Sequence, residues 1–179
     1  PLCGHGVRFI TDRIDVEHHV ADFARRNTET QVIVLRFAPI IGAHSDNPFT
    51  RLLRARIVPT VLGFDPVWQM IHEDDAARAL ASALDCETSG VFNIVAKDGL
   101  PISSIIRLAG GIAIPLAGPL LTAMIHTLEA LNVSTVPVAL LDYLRYPWLA
   151  DERRAHHELG FLAQMSAREA IATLHRGEP

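Results

Sequence analysis

The chain has 179 residues, 49% of them apolar and 20% charged, with a formal net charge of −4. That is enough chain for one domain with a real core, or two small lobes sharing one, and the balance excludes a disordered polymer. Lys and Arg form no run, so the electrostatic footprint of a nucleic-acid binder is missing and no nucleic-acid partner is expected.

Residues 14–27 read as an amphipathic helix. Val16, Val20, Phe23 and Ala24 fall at helical spacing, Glu17, Asp22, Arg25 and Arg26 lie elsewhere around the turn, and Asn27 is a stop. Residues 31–37 (QVIVLRF) are β-branched and apolar on both alternations apart from Arg36, which suits a strand covered on both faces, as in a parallel sheet. Residues 38–42 leave that strand. Asp46-Asn47-Pro48 opens a helix with Phe49, Leu52 and Leu53 on one face. A short extended segment over 57–62, broken by Pro59, and a strand over 67–72 follow. Asp74 and Asp75 stand at the start of an Ala/Leu helix reaching about Asp85, where acidic groups favour the N-terminus.

The next strand spans 90–96, and Ser103 or Ser104 caps a short helix. From Leu108 to Ile125 there are 18 residues without charge, the length that flags a membrane span. Gly110, Gly111, Pro115, Gly118 and Pro119 would break a spanning helix, so the expectation is a buried strand or loop and then a core helix over 119–131, with membrane association through 108–125 as the minor alternative. Helices over 136–144 and 151–159, the latter closed by Gly160, come next. Ser166 and Glu169 form a capping-box pattern before a last helix. Helices and strands alternating, then mostly helices, predict an α/β fold with an appended helical lobe.

Cys3 and Cys86 are far apart and in no metal-ligand spacing; free thiols in a reducing, cytoplasmic compartment are expected, with a disulfide as the alternative. No signal-peptide pattern opens the chain, and the missing initiator Met is expected of a fragment or a processed product. His18-His19 and His156-His157 are adjacent pairs whose members point about 100° apart on a helix. With no HxxxH or HExxH, no metal site is expected.

Four segments, in order, resemble the extended short-chain dehydrogenase/reductases of the NAD-dependent epimerase/dehydratase family. Residues 34–42 (VLRFAPIIG) are similar to the strand and turn LRxxxxxG after that family's catalytic helix. Residues 70–79 (MIHEDDAARA) resemble its xIHVxDxAxA strand-to-helix junction, 90–94 (GVFNI) its GxxNI/V strand, and 151–161 (DERRAHHELGF) its DxxKAxxELGF segment. The resemblance implies the C-terminal part of an NAD(P)-binding Rossmann-like doubly wound sheet with a mostly helical substrate lobe. Residues 1–42 and 67–97 would be the remnant of the Rossmann-like domain, and 43–66 and 98–179 the substrate-binding lobe. The glycine-rich half whose GxxGxxG turn binds the pyrophosphate is not in this sequence. The 31–37 strand is then expected to lack a pairing neighbour unless another chain supplies one.

The same resemblance implies NAD or NADP as cofactor and hydride transfer at a nucleotide sugar or related secondary alcohol, in a homodimer formed through helix 14–27. In the family a Tyr-x-x-x-Lys pair shares one face of the helix before the Arg36 strand. The Tyr is the acid/base; the Lys lowers its pKa and holds the nicotinamide ribose. The matching positions here are Phe9 and Arg13. Phe9 has no hydroxyl to transfer a proton, whereas Arg13 can still donate to a ribose. The backbone at Pro39, Ile40 and Ile41 would border the nicotinamide, Pro39 taking the place of an Asn that reaches the sugar nucleotide. Trp68 replaces an Arg that pairs with the diphosphate, removing a phosphate-chelating cation. It is read either as a stacking platform for a flat or apolar substrate or as lobe packing. Asn47 and Arg51, at the start of the substrate-lobe helix, are read as substrate contacts or solvated surface, and His72 as lying near the pocket rim.

Three readings stay open. The protein is a pseudo-enzyme, an enzyme using another acid/base (His5, a substrate group or water), or a chain in which Phe9 and Arg13 are an ordinary core residue and a surface cation. A catalytically degenerate dinucleotide-sensing or scaffold protein on the same fold is the rival to the enzyme.

Overall fold

The computed structural model describes residues 8–130 and 143–174. Cys3 and His5 lie outside the described residues, as does nearly all of the helix expected over 136–144.

Helix α1 (Arg8–Arg26) starts six residues before the expected position 14, because residues 8–13 (RFITDR) hold no Gly or Pro to interrupt the turn. It leads to β1 (Ile33–Phe37), which runs parallel to β6 (Gly90–Ile94) with Val34 beside Val91 and Phe37 beside Ile94. Among the described residues β1 bonds to no strand on its other edge. β2 (Ile40–Ile41) pairs in parallel with β5 (Ile71–His72), and β4 (Val67–Gln69) pairs antiparallel with β7 (Gly99–Pro101). Single backbone bonds knit these pairs together: Ala38 N–H to the Ile94 carbonyl at 3.0 Å, Ile71 N–H to Pro39 at 3.0 Å, and Ala96 N–H to Met70 at 2.9 Å.

The single strand expected over 67–72 is therefore two short ones that change partner at Met70. There the chain crosses between two cores: Met70 is fully buried in one and Ile71 in the other. β3 (Ile57–Val61) pairs in parallel with β8 (Ile112–Leu116), and Pro59 does not break it. In a two-stranded sheet each strand has an unpaired edge, and a proline whose missing N–H faces that edge costs no ladder bond.

The helices are α2 (Pro48–Arg54), α3 (Glu73–Leu84), α4 (Ile102–Leu108), α5 (Gly118–Ala130), α6 (Arg153–Leu159) and α7 (Ala167–Ala172). Ser166 and Glu169 close the expected capping box on α7, and Gly160 ends α6 in the left-handed region at φ 64°. Neither Ser103 nor Ser104 caps α4, which begins at Pro101 without a side-chain cap; Ser103 instead bonds Asp65 through its N–H (2.9 Å) and hydroxyl (2.8 Å). The uncharged stretch from Leu108 resolves into β8 and α5, but β8 is not the buried strand expected. Ile112 is 59% and Ile114 40% exposed. Among the described residues no helix is long and apolar enough to cross a membrane.

One core gathers Phe49, Leu52 and Leu53 of α2, Val58 and Val61 of β3, Trp68 and Met70, and buried faces of α4, α5 and α7. The other is smaller: Ile71, Ala76 and Ala79, Phe92 and Ile94, then Ala155, Leu159 and Phe161, with the half-buried residues of β1 against it. Helix α6 thus packs on β6, and Arg154 lies 4.9 Å over the Phe92 ring.

Candidate cofactor and substrate cleft

Three parts of the fold converge on one cleft. Helix α1 brings Arg13. The carboxyl end of β1 and the turn into β2 bring Phe37, Ala38, Pro39 and Ile40, and the start of α2 brings Asn47, Pro48 and Phe49. Trp148 borders it on the remaining side, and the open cleft has a volume of about 180 Å³.

Asn47 fixes the α2 side. Its Oδ1 accepts from the Phe49 and Thr50 N–H groups (3.0 and 3.1 Å), and Thr50 Oγ1 accepts from Asn47 N–H at 2.9 Å. Both groups at this helix start are thereby satisfied. Asn47 Nδ2 donates to the Ile40 carbonyl at 2.8 Å, tying α2 to β2 and keeping one amide hydrogen for a ligand. Trp148 is held by its backbone, donating to the Val67 carbonyl at 2.9 Å and accepting from Gln69 N–H at 3.0 Å. Its ring stacks on Tyr143 (4.2 Å between centroids, 24° between planes) and lies 5.1 Å from Phe49. Gln69, itself buried, completes the strap by accepting from Ala150 N–H at 2.7 Å and donating to the Ala96 carbonyl at 3.1 Å.

Below the turn, Glu73 anchors the loop that follows β2. Its carboxylate accepts from His44 N–H at 3.2 Å and from the Ser45 hydroxyl at 2.9 Å. Burial alone would push this carboxyl up, but those bonds and the nearby His44 and His72 outweigh it and leave Glu73 below the ordinary carboxylate range. A Cβ on Gly42 would collide with the Glu73 carboxylate and push that side chain off its bonds to His44 and Ser45.

Of the residues singled out from sequence, the cleft unites Arg13, Pro39, Ile40 and Asn47. Phe9 is placed by its backbone one turn before Arg13 on α1. The others stand apart. Ile41 is fully buried in the larger core. Arg51 is exposed and grips Asp46 through two bonds (2.6 and 2.7 Å), and that grip holds the Asp46 carboxyl below its ordinary value. Trp68 is fully buried, donating Nε1–H to the Tyr143 carbonyl at 2.8 Å and meeting Phe49 edge-on at 5.8 Å. Of its two sequence readings, packing is the one the structure holds. His72 is 4% exposed and caps α3, its Nδ1 accepting from Asp74 N–H at 3.2 Å, so it sits inside the junction and not on a pocket rim. Sequence reasoning missed Trp148. Its only signal was an aromatic in the short stretch between Tyr146 and Asp151, with no periodicity to place it.

The cleft is lined by Arg13 and Asn47, both with donor groups, between apolar walls, and no carboxylate lines it. Such a lining suits an acceptor-rich group on a flat, mostly apolar body. Complete ligand sites commonly occupy about 300–1,000 Å³, so this cleft takes one end of a larger molecule. Among the described residues no group of His, Cys, Asp and Glu could hold a metal ion, and Cys86 is a free thiol.

No family model matches the chain. An uncharacterized protein of Mycobacterium tuberculosis is 34% identical over 169 residues, 94% of this chain and 45% of that protein. The chain therefore spans about half the length of the curated relatives it matches. Among solved structures, UDP-glucose 4-epimerase from Bifidobacterium longum, in complex with NAD+ and UDP, superposes with a TM-score of 0.67 at 16% identity, over 99% of this chain and 56% of that one. UDP-glucuronic acid 4-epimerase from Bacillus cereus, in complex with UDP-glucuronic acid and NAD, gives 0.67 at 17% identity, over 94% and 51%. The fold is accordingly α/β, about half of a Rossmann-like doubly wound protein together with a mostly helical lobe.

Proposed function

We propose that this chain belongs to an NAD- or NADP-dependent epimerase/dehydratase-type protein acting by hydride transfer at a nucleotide sugar or related secondary alcohol. The carrying observation is the cleft itself, where Arg13 of α1 faces the same space as Pro39, Ile40 and Asn47. Residues 1–42 and 67–97, with α6 packed on β6, serve as the sheet half, and the remainder as the substrate lobe. Arg13 holds the ribose by charge-assisted hydrogen bonds, and the Pro39–Ile40 backbone and Trp148 flank the ring. The bound dinucleotide would supply the hydride acceptor. This chain's residues orient it and exclude water. Arg51, exposed on α2, is assigned to substrate recognition in the assembled protein, and α1, whose Val16 and Phe23 are exposed, to a homodimer contact.

A second reading, a catalytically degenerate dinucleotide-sensing or scaffold protein, is favoured by one observation. The position one turn before Arg13 is Phe9, which carries no acid/base. Titration of the complete protein with NAD(H) and NADP(H) tests both readings. Arg13→Ala is expected to weaken cofactor binding about ten-fold, the scale of one charged hydrogen bond; unchanged affinity would remove Arg13 from the site. Reduction of the bound cofactor on adding a UDP-sugar supports the enzyme, while binding without reduction supports the sensor.

A further inference from the structure

The β3–β8 sheet breaks the usual pattern of a sheet with one wet face. Its inner face, with Val58, Thr60 and Ala113, turns to the larger core. The opposite face should be polar where it meets water. It instead aligns Ile57 with Ile112 and Pro59 with Ile114, and both Ile57 and Ile112 are more than half exposed, whereas Val61 further along the same face is buried in the core, so the open part is the starting end. Leu62 lies just past β3, where its N–H donates to the Leu116 carbonyl at 2.8 Å, and Leu120 lies in the first turn of α5; both are about 60% exposed. Apolar side chains scattered singly need no explanation, but a contiguous patch marks a contact surface.

Cations stand at the starting end of this face. The whole chain is at −4, Asp65 follows β3 at the far end and Arg51 is paired with Asp46, but the starting end carries Arg56 and Arg107. Arg56 stands where both strands begin, its carbonyl accepting from Ile112 N–H at 2.9 Å. Arg107 ends the helix leading into β8. Both are exposed, and among the described residues neither is in an ion pair. A second copy packed on this face would bring like charges together. An anionic lipid surface satisfies both features, apolar side chains entering the interface and guanidinium groups meeting headgroups.

We propose that the starting end of the outer face of β3–β8, where Ile57, Ile112 and Ile114 lie between Arg56 and Arg107, docks on an anionic lipid surface. The contact is peripheral, through side chains of a sheet, and involves no spanning segment.

The test is co-sedimentation of the whole chain with vesicles of phosphatidylglycerol and, separately, of phosphatidylcholine. Binding to the first and little to the second is expected. Arg56→Glu with Arg107→Glu should weaken binding by about ten-fold or more, and Ile112→Asp with Ile114→Asp should abolish it. These positions are at the surface, and circular dichroism matching the parent shows that the variants fold. Independently, Ile114→Trp should give an indole emission that shifts to the blue on adding phosphatidylglycerol vesicles and is quenched by brominated acyl chains. No binding to phosphatidylglycerol, or binding unchanged in both double variants, overturns the proposal. So does a dimer in sedimentation equilibrium that the Ile112/Ile114 variant dissociates, because the face is then taken by a second copy.

Discussion

The two cores are held by different means. The larger one closes around four aromatic rings, Phe49, Trp68, Tyr143 and Trp148, in mutual edge and stacked contact, and draws fully buried aliphatic side chains from α2, β3, α4, α5 and α7. The smaller one, under the β1–β6 sheet, is built from Ala, Ile, Leu and Phe, and every residue of β1 is only half-buried. Parallel strands are ordinarily covered on both faces. The sheet half makes up part of that deficit with polar ties to distant segments. The carboxylate of Asp75, fully buried, accepts from the Gln164 and Met165 N–H groups at 3.2 and 3.0 Å and pairs with Arg78. Asn93 donates to the Asp151 carbonyl at 3.1 Å. One core is closed mostly by packing and the other is supplemented by polar ties to distant segments, although the chain threads both within the single step from Met70 to Ile71.

The most direct way to break this contrast is Trp68→Ala. Emptying a fully buried ring site and leaving the Tyr143 carbonyl without its donor is expected to cost about 3–5 kcal/mol, read by urea denaturation. A loss below about 1 kcal/mol, well under that cavity range, would mean that the aromatic cluster is not what closes the lobe. Both tryptophans, Trp68 and Trp148, belong to the larger core, so indole emission reports that core alone while far-ultraviolet circular dichroism reports both. Asp75→Ala comes next. It orphans two backbone donors and the Arg78 guanidinium, for an expected loss of about 2–3 kcal/mol, although the site lies outside the aromatic core. Because Met70 and Ile71 are consecutive, emission and circular dichroism of this variant should still fall together. Transitions that separate would show the halves to be independent.

Much of this was legible from spacing. The α1 periodicity, the apolar run of β1, the acidic start of α3 and the Ser166–Glu169 box are local signals, and local chemistry forms each of them. What escaped was decided by tertiary context. Met70 and Ile71 read as one strand because nothing in their sequence says that the cores change there. Pro59 read as a break because its harmlessness depends on sitting at the edge of a two-stranded sheet. Ile112 and Ile114 read as buried because apolar residues usually are, and the solvent on that face is visible only in three dimensions. In the cleft, Arg13, Pro39, Ile40 and Asn47 could be found by resemblance. Trp148 could not, because it reaches the cleft through an isolated parallel bridge to Trp68, two non-periodic residues 80 positions apart.

A smaller effect sharpens the comparison where the two halves meet. Asn47→Ala removes the side-chain cap of α2 and the bond to the Ile40 carbonyl. A cap loss of about 1 kcal/mol is expected, with a larger proportional effect on ligand affinity, because α2 and β2 then lose the link that sets the width of the cleft. If stability falls and cofactor affinity does not, Asn47 is a cap and nothing more.

The smallest expected effect is on pH dependence, and it belongs to Glu73. Its carboxyl lies below the ordinary range in the folded chain, with burial outweighed by the His44 N–H and Ser45 hydroxyl bonds and by the two nearby histidines. A depressed folded value means that ionised Glu73 adds stability above the pKa of the unfolded chain, and that this is lost as pH falls through the folded value. Unfolding midpoints should therefore decline on the acid side of the carboxylate range. Glu73→Gln should flatten that limb while leaving the neutral-pH value only slightly lower, since an amide oxygen can still accept from His44 N–H and the Ser45 hydroxyl. The charged carboxylate holds the loop that follows β2, whereas the ties at Asp75 lie on the far side of α3. An acid limb unchanged in Glu73→Gln but altered in Asp75→Asn would move the pH-sensitive contact from the cleft loop into the sheet half.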